Sequence, residues 1–482
     1  MKWKSIKKDI VIIGAGIIGC AIARELSRFG KKVLVVEKES DVSRGTTKAN
    51  SGIIHAGYAE SPGTLRSSLC YKGNLLFKKN AEELDIPLKN TGSLVSILNL
   101  SEIKVLERLL KNGKANGLKN LNIIYGNENI KKIEPNINEK VCASLLAKEA
   151  SITSPYEAAF ALYENAKLNG VEFLFDSVVN EINFVKSLKH FFLKTPFIEI
   201  EAEVLINAAG IFAHNIANMI GDYSFEIHPA KGEYFVFDND TTGFVNIINF
   251  SSPGKSTKGV LVTPTVDNNI LAGPNFEYAD FGDLSTTFEG LNEIKQKAKD
   301  LFPEIPFKKV ISSFAGLRAV SSTNDFIIGS SHINNKFINV GGIQSPGLTC
   351  VFSITQIVIG ILRDLKIDLK HNRNFYPIRK KIERFKPDNL LKNFERFSSD
   401  ENYNEIVCRC ENVTKAEIIE AIKRGATDID GIKLRTRAGM GRCQGGYCLL
   451  RVMKIIYEEL NIPYEEITKK GNNSRIIKTR MN

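Results

Sequence analysis

The sequence lacks the features that mark several classes of protein. None of its apolar runs reaches the ~18 residues that a membrane-spanning helix needs. The basic residues at its start precede a glycine-broken stretch, not a signal peptide with a cleavage site. It has no internal repeat and no low-complexity tract. We therefore expect no transmembrane segment and a cytoplasmic protein, with peripheral association at the inner face of the membrane left open.

Motifs for nucleic-acid recognition are also lacking, although the chain is basic. The net charge is +11 at pH 7, but the sequence contains no recognition helix, zinc finger or aromatic-rich sheet motif. Its densest basic runs, residues 371–396 and 469–480, are typical of solvated linkers and chain ends. We expect no nucleic-acid partner. The charge fits a small anionic substrate, an acidic partner or a membrane surface.

Residues 9–37 carry the strongest motif of the chain. An apolar run, residues 10–13, is followed by Gly14, Gly16 and Gly19 in the spacing G-x-G-x-x-G, then by a helical pattern and a second apolar run that ends in Glu37. The glycines allow a tight turn, close approach of a pyrophosphate and close helix–strand packing, while the acid can accept a hydrogen bond from a ribose hydroxyl. This order of elements predicts a dinucleotide site in a Rossmann-like unit.

A polar loop, residues 43–70, interrupts the nucleotide-binding unit. It is rich in Gly, Ser, Thr and Asn and contains His55 between two apolar neighbours. A loop of this length inside a compact domain is usually functional. A lone histidine is more often structural than catalytic, so position alone does not assign His55 a role.

The rest of the chain predicts an α/β protein of two or three domains. An apolar strand at residues 202–210 is expected to return to the nucleotide sheet, and residues 228–276 are expected to form an antiparallel sheet. A strand at residues 337–340 runs into the segment 341–349 and a helix, which can aim its N-terminus at a negative group. Residues 367–402 are interpreted as a linker or a covering segment, and residues 466–482 as a basic tail.

Four of the eight cysteines cluster near the end of the chain, whereas the others stand singly. The spacing Cys408-x-Cys410 and Cys443-x4-Cys448 favours a metal site over disulfides in a cytosolic protein. Four thiolates suit either zinc or a [2Fe–2S] cluster, although structural zinc usually takes pairs spaced C-x2-C. The residues alone leave both metals open.

Taken in order, the glycine motif, the loop 43–70, FAGLR (314–318) and GGIQSPGLT (341–349) resemble the FAD oxidoreductases of the D-amino-acid-oxidase superfamily. Within it the chain is most similar to anaerobic-type glycerol-3-phosphate dehydrogenases and L-2-hydroxyglutarate dehydrogenases. The resemblance implies FAD as cofactor, bound by a set of residues from three segments: Gly14, Gly16, Gly19, Glu37, Thr46, Thr47, Ser51, Gly342, Gly347, Leu348 and Thr349. It also implies an antiparallel-sheet substrate domain inserted into the Rossmann-like FAD domain.

The same resemblance predicts the catalytic and substrate-binding residues. His55 matches the histidine beside the flavin and would act as a base or orient the substrate hydroxyl. Arg318 matches the arginine of FAGLR and would bind a carboxylate or phosphate, for which a bidentate guanidinium is suited. Lys231, in HPAKGEY, is predicted either to contact the substrate or to be structural. Ile343 departs from the family, whose longer glycerol-3-phosphate dehydrogenases have lysine at this position.

Residues 403–465 resemble bacterioferritin-associated-ferredoxin-like domains, whose C-x-C and RTRAGMGRCQGG segments they match. This implies a [2Fe–2S] cluster on the four cysteines, with Arg409, Arg437 and Arg442 expected to offset its charge. The predicted domains are an FAD-binding domain of residues 1–80, 146–220 and 325–366 and a substrate domain of residues 81–145 and 221–324. A linker, 367–402, a small helical [2Fe–2S] domain, 403–465, and a basic tail, 466–482, complete the chain.

The predicted activity is oxidation of sn-glycerol 3-phosphate to dihydroxyacetone phosphate. Electrons would leave through the cluster to an acceptor subunit or a quinone-linked partner. Oxidation of a 2-hydroxy acid such as L-2-hydroxyglutarate, or of an amino acid, is an alternative within the same class. A non-catalytic flavin and iron–sulfur subunit for electron transfer is a further alternative.

Overall fold

The computed structural model describes residues 4–253, 259–385 and 389–478. The helices are α1 (Ile17–Leu26), α2 (Leu65–Glu83), α3 (Ile103–Ala115), α4 (Asn127–Lys131), α5 (Pro155–Leu168), α6 (Ala213–Asn218), α7 (Phe288–Leu301), α8 (Gly347–Asp364), α9 (Leu390–Ser399), α10 (Lys415–Lys423), α11 (Ile429–Thr436) and α12 (Leu449–Leu460). The strands are β1 (Lys4–Ile13), β2 (Val33–Val36), β3 (Ile53–Ile54), β4 (Leu88–Asn90), β5 (Ser93–Ile97), β6 (Leu121–Tyr125), β7 (Ala143–Ala147), β8 (Ser151–Thr153), β9 (Glu172–Leu174), β10 (Glu181–Val185), β11 (His190–Lys194), β12 (Ile198–Asn207), β13 (Ile227–Phe237), β14 (Ile248–Ser251), β15 (Leu261–Pro264), β16 (Ile270–Gly273), β17 (Glu277–Tyr278), β18 (Val310–Ser321), β19 (Ile327–Ser330), β20 (Phe337–Gly341), β21 (Ile406–Cys408) and β22 (Val413–Thr414).

A parallel sheet forms the centre of the first domain. Its parallel strands lie in the order β9-β2-β1-β12-β20, which is the 3-2-1-4-5 order of a Rossmann-type sheet. The predicted return of residues 202–210 to this sheet is confirmed, because β12 pairs with β1 along its length. One edge of β12 carries β11 at its beginning and β20 at its end. The dinucleotide motif therefore lies at the middle of the sheet.

Both faces of this sheet are buried, as its apolar strand runs predict. Ile10 and Ile12 pack with α1, α5 and α8 on one side. Val11 and Ile13 face α6 and β11 on the other side. Each fully buried aliphatic side chain contributes roughly 1.5–3 kcal/mol relative to exposure. This two-sided core holds the carboxyl ends of β1 and β2, where the glycine turn and Glu37 are located, in fixed positions.

The second domain is built on a nine-stranded sheet. The strands lie in the order β17-β13-β16-β15-β14-β5-β7-β6, and β18 pairs with the other edge of β13. The sheet is antiparallel except where β14 runs parallel to β5. Strands β5 to β7 come from the first segment predicted for the substrate domain and β13 to β18 from the second. The parallel pair β5–β14 therefore joins two antiparallel parts of the sheet, one from each segment.

The segment predicted as a linker lies across the first domain as a covering segment. Arg379 Nε is 2.7 Å from Glu164 Oε2 on α5. Arg384 pairs with Glu157 on α5 and with Asp267 of the second domain. The backbone around residue 372 bonds to the turn after α1. These contacts tie the segment to α1 and α5.

The last domain is small and helical, with α10, α11 and α12 around the short β21–β22 hairpin. Thr414 and Glu417 form a capping box at the start of α10, which satisfies two N–H groups that a helix start leaves unpaired. Arg435 on α11 donates to Asp41 of the first domain at 3.0 Å. Ile467, at the start of the predicted tail, is 1% exposed, so the tail begins packed against the domain and not in solvent.

Helix α8 has the length and composition of a membrane span, which the count of apolar runs does not predict. Within the described ranges it is the one helix that passes this test, and 61% of its apolar window is buried inside the protein. Cys350, Ile354 and Val358 lie in the core against α1 and α2. Helix α8 is therefore packed as a core helix of the first domain.

Candidate active site

The dinucleotide turn has the geometry that its glycines predict. Gly14 has φ of +103°, and a Cβ there would lie 2.6 Å from the carbonyl oxygen of Ala208. A Cβ on Gly19 would lie 1.9 Å from the carbonyl oxygen of Gly14. Helix α1 starts at Gly16 without a side-chain cap. The turn thus presents the positive end of a helix at close backbone range, which suits a pyrophosphate.

Glu37 lies at the end of β2 beside this turn. Its carboxylate accepts from the backbone N–H of Ala15 at 2.6 Å and of Glu39 at 3.0 Å. Burial raises the pKa of Glu37, and the two backbone donors act in the opposite direction. The position matches the acid that binds a ribose hydroxyl in dinucleotide folds.

The polar loop packs between the turn and β18. Thr47 Oγ1 accepts from the backbone N–H of Ile17 at 3.0 Å and so satisfies the first turn of α1. Thr46 Oγ1 donates to the carbonyl oxygen of Leu317 at 2.6 Å. Ser51 lies close enough to the hydroxyl of Tyr234 on β13 to lower its pKa, against the larger opposite effect of burial. The loop therefore connects the nucleotide domain to the sheet of the second domain.

A cavity of about 1160 Å³ runs from the glycine turn to the second sheet. Ordinary small-molecule sites measure ~300–1,000 Å³, so this volume suits a dinucleotide and a substrate together. Most of the predicted site residues line it: Gly14, Gly16, Glu37, Thr46, Thr47, Ser51, His55, Arg318, Gly347 and Leu348. Four predicted residues do not line it: Gly19, Lys231, Gly342 and Thr349.

Arg318 supplies a half-buried cation at the second-domain end of the cavity. Its Nη1 donates to the carbonyl oxygen of Lys231 and its Nη2 to that of Asn275, each at 2.9 Å. The guanidinium lies 5.3 Å from the ring centroid of Phe276. Burial lowers the pKa of Arg318, and the described residues place no carboxylate within ion-pair distance. A guanidinium on a cavity wall with no carboxylate partner favours an anionic ligand.

Gly232 makes room for this guanidinium, and the sequence reading did not predict its role. A Cβ at residue 232 would lie 2.3 Å from Arg318 Nη2. A glycine inside a strand can mark a site where another group approaches the backbone closely. Gly232 and Tyr234 line the cavity together, so alternate residues of β13 face it.

Lys231 lies on the other face of β13, because neighbouring side chains of a strand point to opposite sides. Its Nζ is 2.8 Å from Asp283 Oδ2, and its side chain is 4% exposed. The ion pair raises the pKa of Lys231 and holds that of Asp283 below its ordinary value. Of the two roles considered for Lys231, the geometry supports the structural one and not substrate contact.

Lys231→Met is expected to leave the KM for the anionic substrate within about twofold of the wild-type value, because the ammonium group faces Asp283 and not the cavity. Steady-state kinetics with FAD-loaded protein checks this. A KM increase of tenfold or more would indicate that Lys231 contacts the substrate.

His55 is positioned by the start of α8. Thr349 Oγ1 accepts from the backbone N–H of His55 at 2.9 Å. The ring nitrogen Nε2 of His55 is 3.2 Å from Ser345 Oγ, and the ring lies 6.2 Å from that of Phe250. Thr349 therefore contributes from behind the cavity wall, by fixing the backbone of the residue that faces it.

The segment 341–349 gives the second helix terminus at the cavity. Helix α8 begins at Gly347 without a side-chain cap, and residues 343–348 line the cavity. Gly342 has φ of +66° and packs against Ser321, so it shapes the turn without facing the ligand. Ile343, which replaces the lysine of longer relatives, is apolar at the cavity wall.

The four cysteines come together as two pairs. Cys410 Sγ is 3.6 Å from Cys443 Sγ. The neighbouring Cys448 thiol holds the pKa of Cys408 below its ordinary value. Within the described residues, no three potential ligands surround a single metal position. Two thiolate pairs fit a two-iron cluster better than one zinc ion bound by all four.

Two of the three arginines predicted to offset the charge of the cluster, Arg437 and Arg442, form ion pairs with carboxylates. Arg437 Nε is 2.7 Å from Glu411 Oε2, and its Nη1 is 2.9 Å from Asp267 Oδ2. Arg442 Nε is 3.0 Å from Asp238 Oδ2. Their carboxylate partners lie on distant segments, so the sequence did not show the pairing. The ion pairs of Arg437 with Asp267 and of Arg442 with Asp238 join the last domain to the second domain.

The family comparisons agree with this geometry. Residues 9–359 match the model of the FAD dependent oxidoreductase family, and residues 406–458 match that of the BFD-like [2Fe-2S] binding domain. The chain belongs to the FAD dependent oxidoreductase family, with FAD and a [2Fe–2S] cluster as its cofactors. When bound, they would be held by the glycine turn, Glu37 and the loop 46–51, and by the four cysteines.

Individual relatives cover most of the chain. It is 41% identical to a glycerol 3-phosphate dehydrogenase of Caloramator mitchellensis, over 97% of this chain and 98% of the relative. It is 32% identical to a glycerol 3-phosphate oxidase of Mycoplasma genitalium, over 76% of this chain and 97% of the relative. These relatives are enzymes, which argues against the non-catalytic alternative.

Solved structures give the same fold. Dithionite-reduced L-alpha-glycerophosphate oxidase from Mycoplasma pneumoniae with FAD bound superposes with a TM-score of 0.74 at 28% identity, over 77% of this chain and 98% of that one. A glycerol-3-phosphate dehydrogenase from Bacillus halodurans complexed with FAD has a TM-score of 0.67 at 16% identity and covers 95% of this chain and 92% of that one. The second likeness shows the fold alone.

Proposed function

We propose that this oxidoreductase converts sn-glycerol 3-phosphate to dihydroxyacetone phosphate. The observation that carries the proposal is Arg318, a half-buried guanidinium without an ion-pair partner among the described residues, at the substrate end of the cavity. The similarity to the Caloramator dehydrogenase over nearly the whole chain supports the same substrate.

The chain's own residues then have separate roles. Arg318 binds the phosphate through the N–H groups that its two backbone partners leave available. His55 takes the proton of the substrate hydroxyl as the carbon beside it loses hydride. FAD supplies the acceptor for that hydride when bound. The N-terminus of α8, which has no side-chain cap, stabilises the negative charge of a ligand bound at the cavity wall.

Anaerobic titration separates this substrate from the alternatives. Glycerol 3-phosphate is expected to bleach the flavin absorbance of the FAD-loaded protein, whereas L-2-hydroxyglutarate and amino acids are not. Bleaching by L-2-hydroxyglutarate alone would overturn the proposal. A carboxylate also suits Arg318, and the chain is 27% identical to an L-2-hydroxyglutarate dehydrogenase of Arabidopsis thaliana, so this 2-hydroxy acid is the sharpest competitor.

His55→Gln is expected to lower kcat by about 10²–10⁴-fold, the range for loss of a general base. FAD binding should change little, because Thr349 anchors the residue through its backbone N–H. Stopped-flow flavin reduction with glycerol 3-phosphate measures the effect. Reduction at the wild-type rate would exclude His55 as the base.

We propose further that electrons leave through the cluster to an acceptor protein. Cys408 and Cys448 are buried, whereas Cys410 and Cys443 are partly exposed. Tyr447 and Leu450 beside them are 86% and 68% exposed. An exposed aromatic and apolar pair next to accessible cluster ligands suits contact with an electron-accepting subunit or a quinone-linked partner. A cytoplasmic location, with contact at the membrane surface, is part of the same proposal.

A further inference from the structure

Arg44 lies between the dinucleotide cavity and the cluster domain. Its side chain is 3% exposed, and its Nη2 is 2.6 Å from Asp428 Oδ1, at the start of α11. Its Nη1 is 4.0 Å from Asp430 Oδ2. Arg44 also lines the cavity. One guanidinium therefore contacts the last domain and the site of the first domain at the same time.

Two nitrogen atoms of this guanidinium have no hydrogen-bond partner. Nε and Nη1 of Arg44 are buried and unsatisfied. A buried N–H without a hydrogen-bond partner is costly even where, as here, the charge itself is paired with Asp428. A bound ligand that accepts these hydrogen bonds removes the cost.

The surroundings indicate which ligand satisfies it. The residue before Arg44, Ser43, donates its backbone N–H to the carbonyl oxygen of Ala15, and Thr47 bonds to the first turn of α1. Arg44 therefore lies in the loop segment that packs against the N-terminus of α1, where a pyrophosphate would bind. Lys48 and Lys470 line the same cavity, and burial lowers the pKa of Lys48. A helix N-terminus with three basic side chains suits a diphosphate.

We infer that Arg44 couples binding of the FAD diphosphate to docking of the cluster domain. Docking places Asp428 and Asp430 over Arg44 and removes its guanidinium from water, which leaves Nε and Nη1 without hydrogen-bond partners when the cavity is empty. The diphosphate satisfies them, so FAD favours the docked domain. Because such coupling is reciprocal, the docked domain favours FAD to the same extent.

The C-terminal segment takes part in the same contact. Ser40 Oγ donates to Asp428 Oδ2 at 2.7 Å and is 3.1 Å from the carbonyl oxygen of Lys470. Lys469 pairs with Asp430 at 3.0 Å. The basic segment after the cluster domain therefore folds back onto the dinucleotide cavity. Its cations add to the charge that a diphosphate would meet.

Hydrogen–deuterium exchange tests the coupling on the full chain with its cluster in place and its FAD removed. The readout is amide exchange in α11, residues 429–436, with saturating FAD, ADP, adenosine or riboflavin. FAD and ADP, which carry the diphosphate, are expected to slow exchange by about tenfold or more. Adenosine and riboflavin, which lack phosphate, should have no effect. Equal exchange with and without FAD, or equal protection by adenosine and ADP, overturns the inference.

Two variants separate Arg44 from general docking contacts. Arg44→Met removes both the unsatisfied N–H groups and the contact with the diphosphate. FAD affinity should fall by roughly 10–100-fold, and protection of α11 by saturating FAD should fall below about twofold. Arg442→Ala removes an ion pair between the cluster domain and Asp238 that does not face the cavity, so FAD protection of α11 should persist. Full protection in Arg44→Met, or its loss in Arg442→Ala, contradicts the role of Arg44.

Discussion

Replacing Arg318 with alanine is expected to raise the KM for glycerol 3-phosphate by about a hundredfold or more, the effect of losing a buried charged contact of a few kcal/mol. FAD should remain bound, because the cofactor residues lie on the glycine turn and the loop 46–51. Steady-state kinetics and the flavin spectrum of the purified variant measure the two effects separately. An unchanged KM with normal FAD content would show that Arg318 does not bind the substrate.

Two further variants make this result specific. Arg318→Lys keeps the charge but loses the bidentate fork, so an intermediate KM is expected. Gly232→Ala leaves Arg318 in the chain but places a methyl group where its Nη2 lies, so KM should rise there as well. Lys231→Met, one residue away and on the opposite face of β13, is the matched control. A similar KM in all four variants would indicate a general disturbance of the sheet.

Replacing Cys408 with alanine is expected to abolish the cluster, because each iron of a [2Fe–2S] centre needs its pair of thiolates. Iron content should fall from roughly two per chain to near zero. Flavin reduction by substrate should persist, whereas reduction of a one-electron acceptor should fall sharply. Metal analysis, the visible spectrum and stopped-flow kinetics report these steps one by one.

Cys408 is buried in the core of its domain, so loss of the cluster there could reflect loss of folding. Cys443→Ser, at a partly exposed ligand, provides a second test with the same expected outcome. Cys142→Ser is the control, since Cys142 lies in the second domain away from the other cysteines. Unchanged acceptor reduction in a cluster-free variant would contradict the proposed electron route. Zinc in place of iron in the metal analysis of the wild-type protein would contradict the cluster.

The sequence predicts the scaffold well because its signals are local. Strand, glycine turn, helix and strand follow one another within residues 9–37, and the structure confirms each of them. The return of β12 and the strand–turn–helix unit at residues 337–365 were also predictable from apolar runs and glycines. The parallel pairing of β5 with β14 was not, since neither segment carries a motif that relates it to the other.

Side-chain environment was harder to predict than fold. Lys231 was singled out by its motif, but only the sheet shows that it faces Asp283 while Gly232 and Tyr234 face the cavity. Arg409, Arg437 and Arg442 were predicted to offset the cluster charge, yet Arg437 and Arg442 pair with Asp267 and Asp238, which are remote in sequence. Arg44 stood in a polar loop as one basic residue among many, and only its buried, unsatisfied N–H groups distinguish it.

The walls of the cavity have a consequence for the biogenesis of the protein. Thr46 bonds to Leu317, the backbone of His55 to Thr349, and Arg44 to Asp428. Each contact joins residues that are more than 250 positions apart, so loop closure over nearly the whole chain precedes the finished site. During synthesis the nucleotide motif leaves the ribosome first, but its wall is completed only when α8 and then Asp428 have followed. We therefore expect cofactor loading to be a late event in the maturation of this chain.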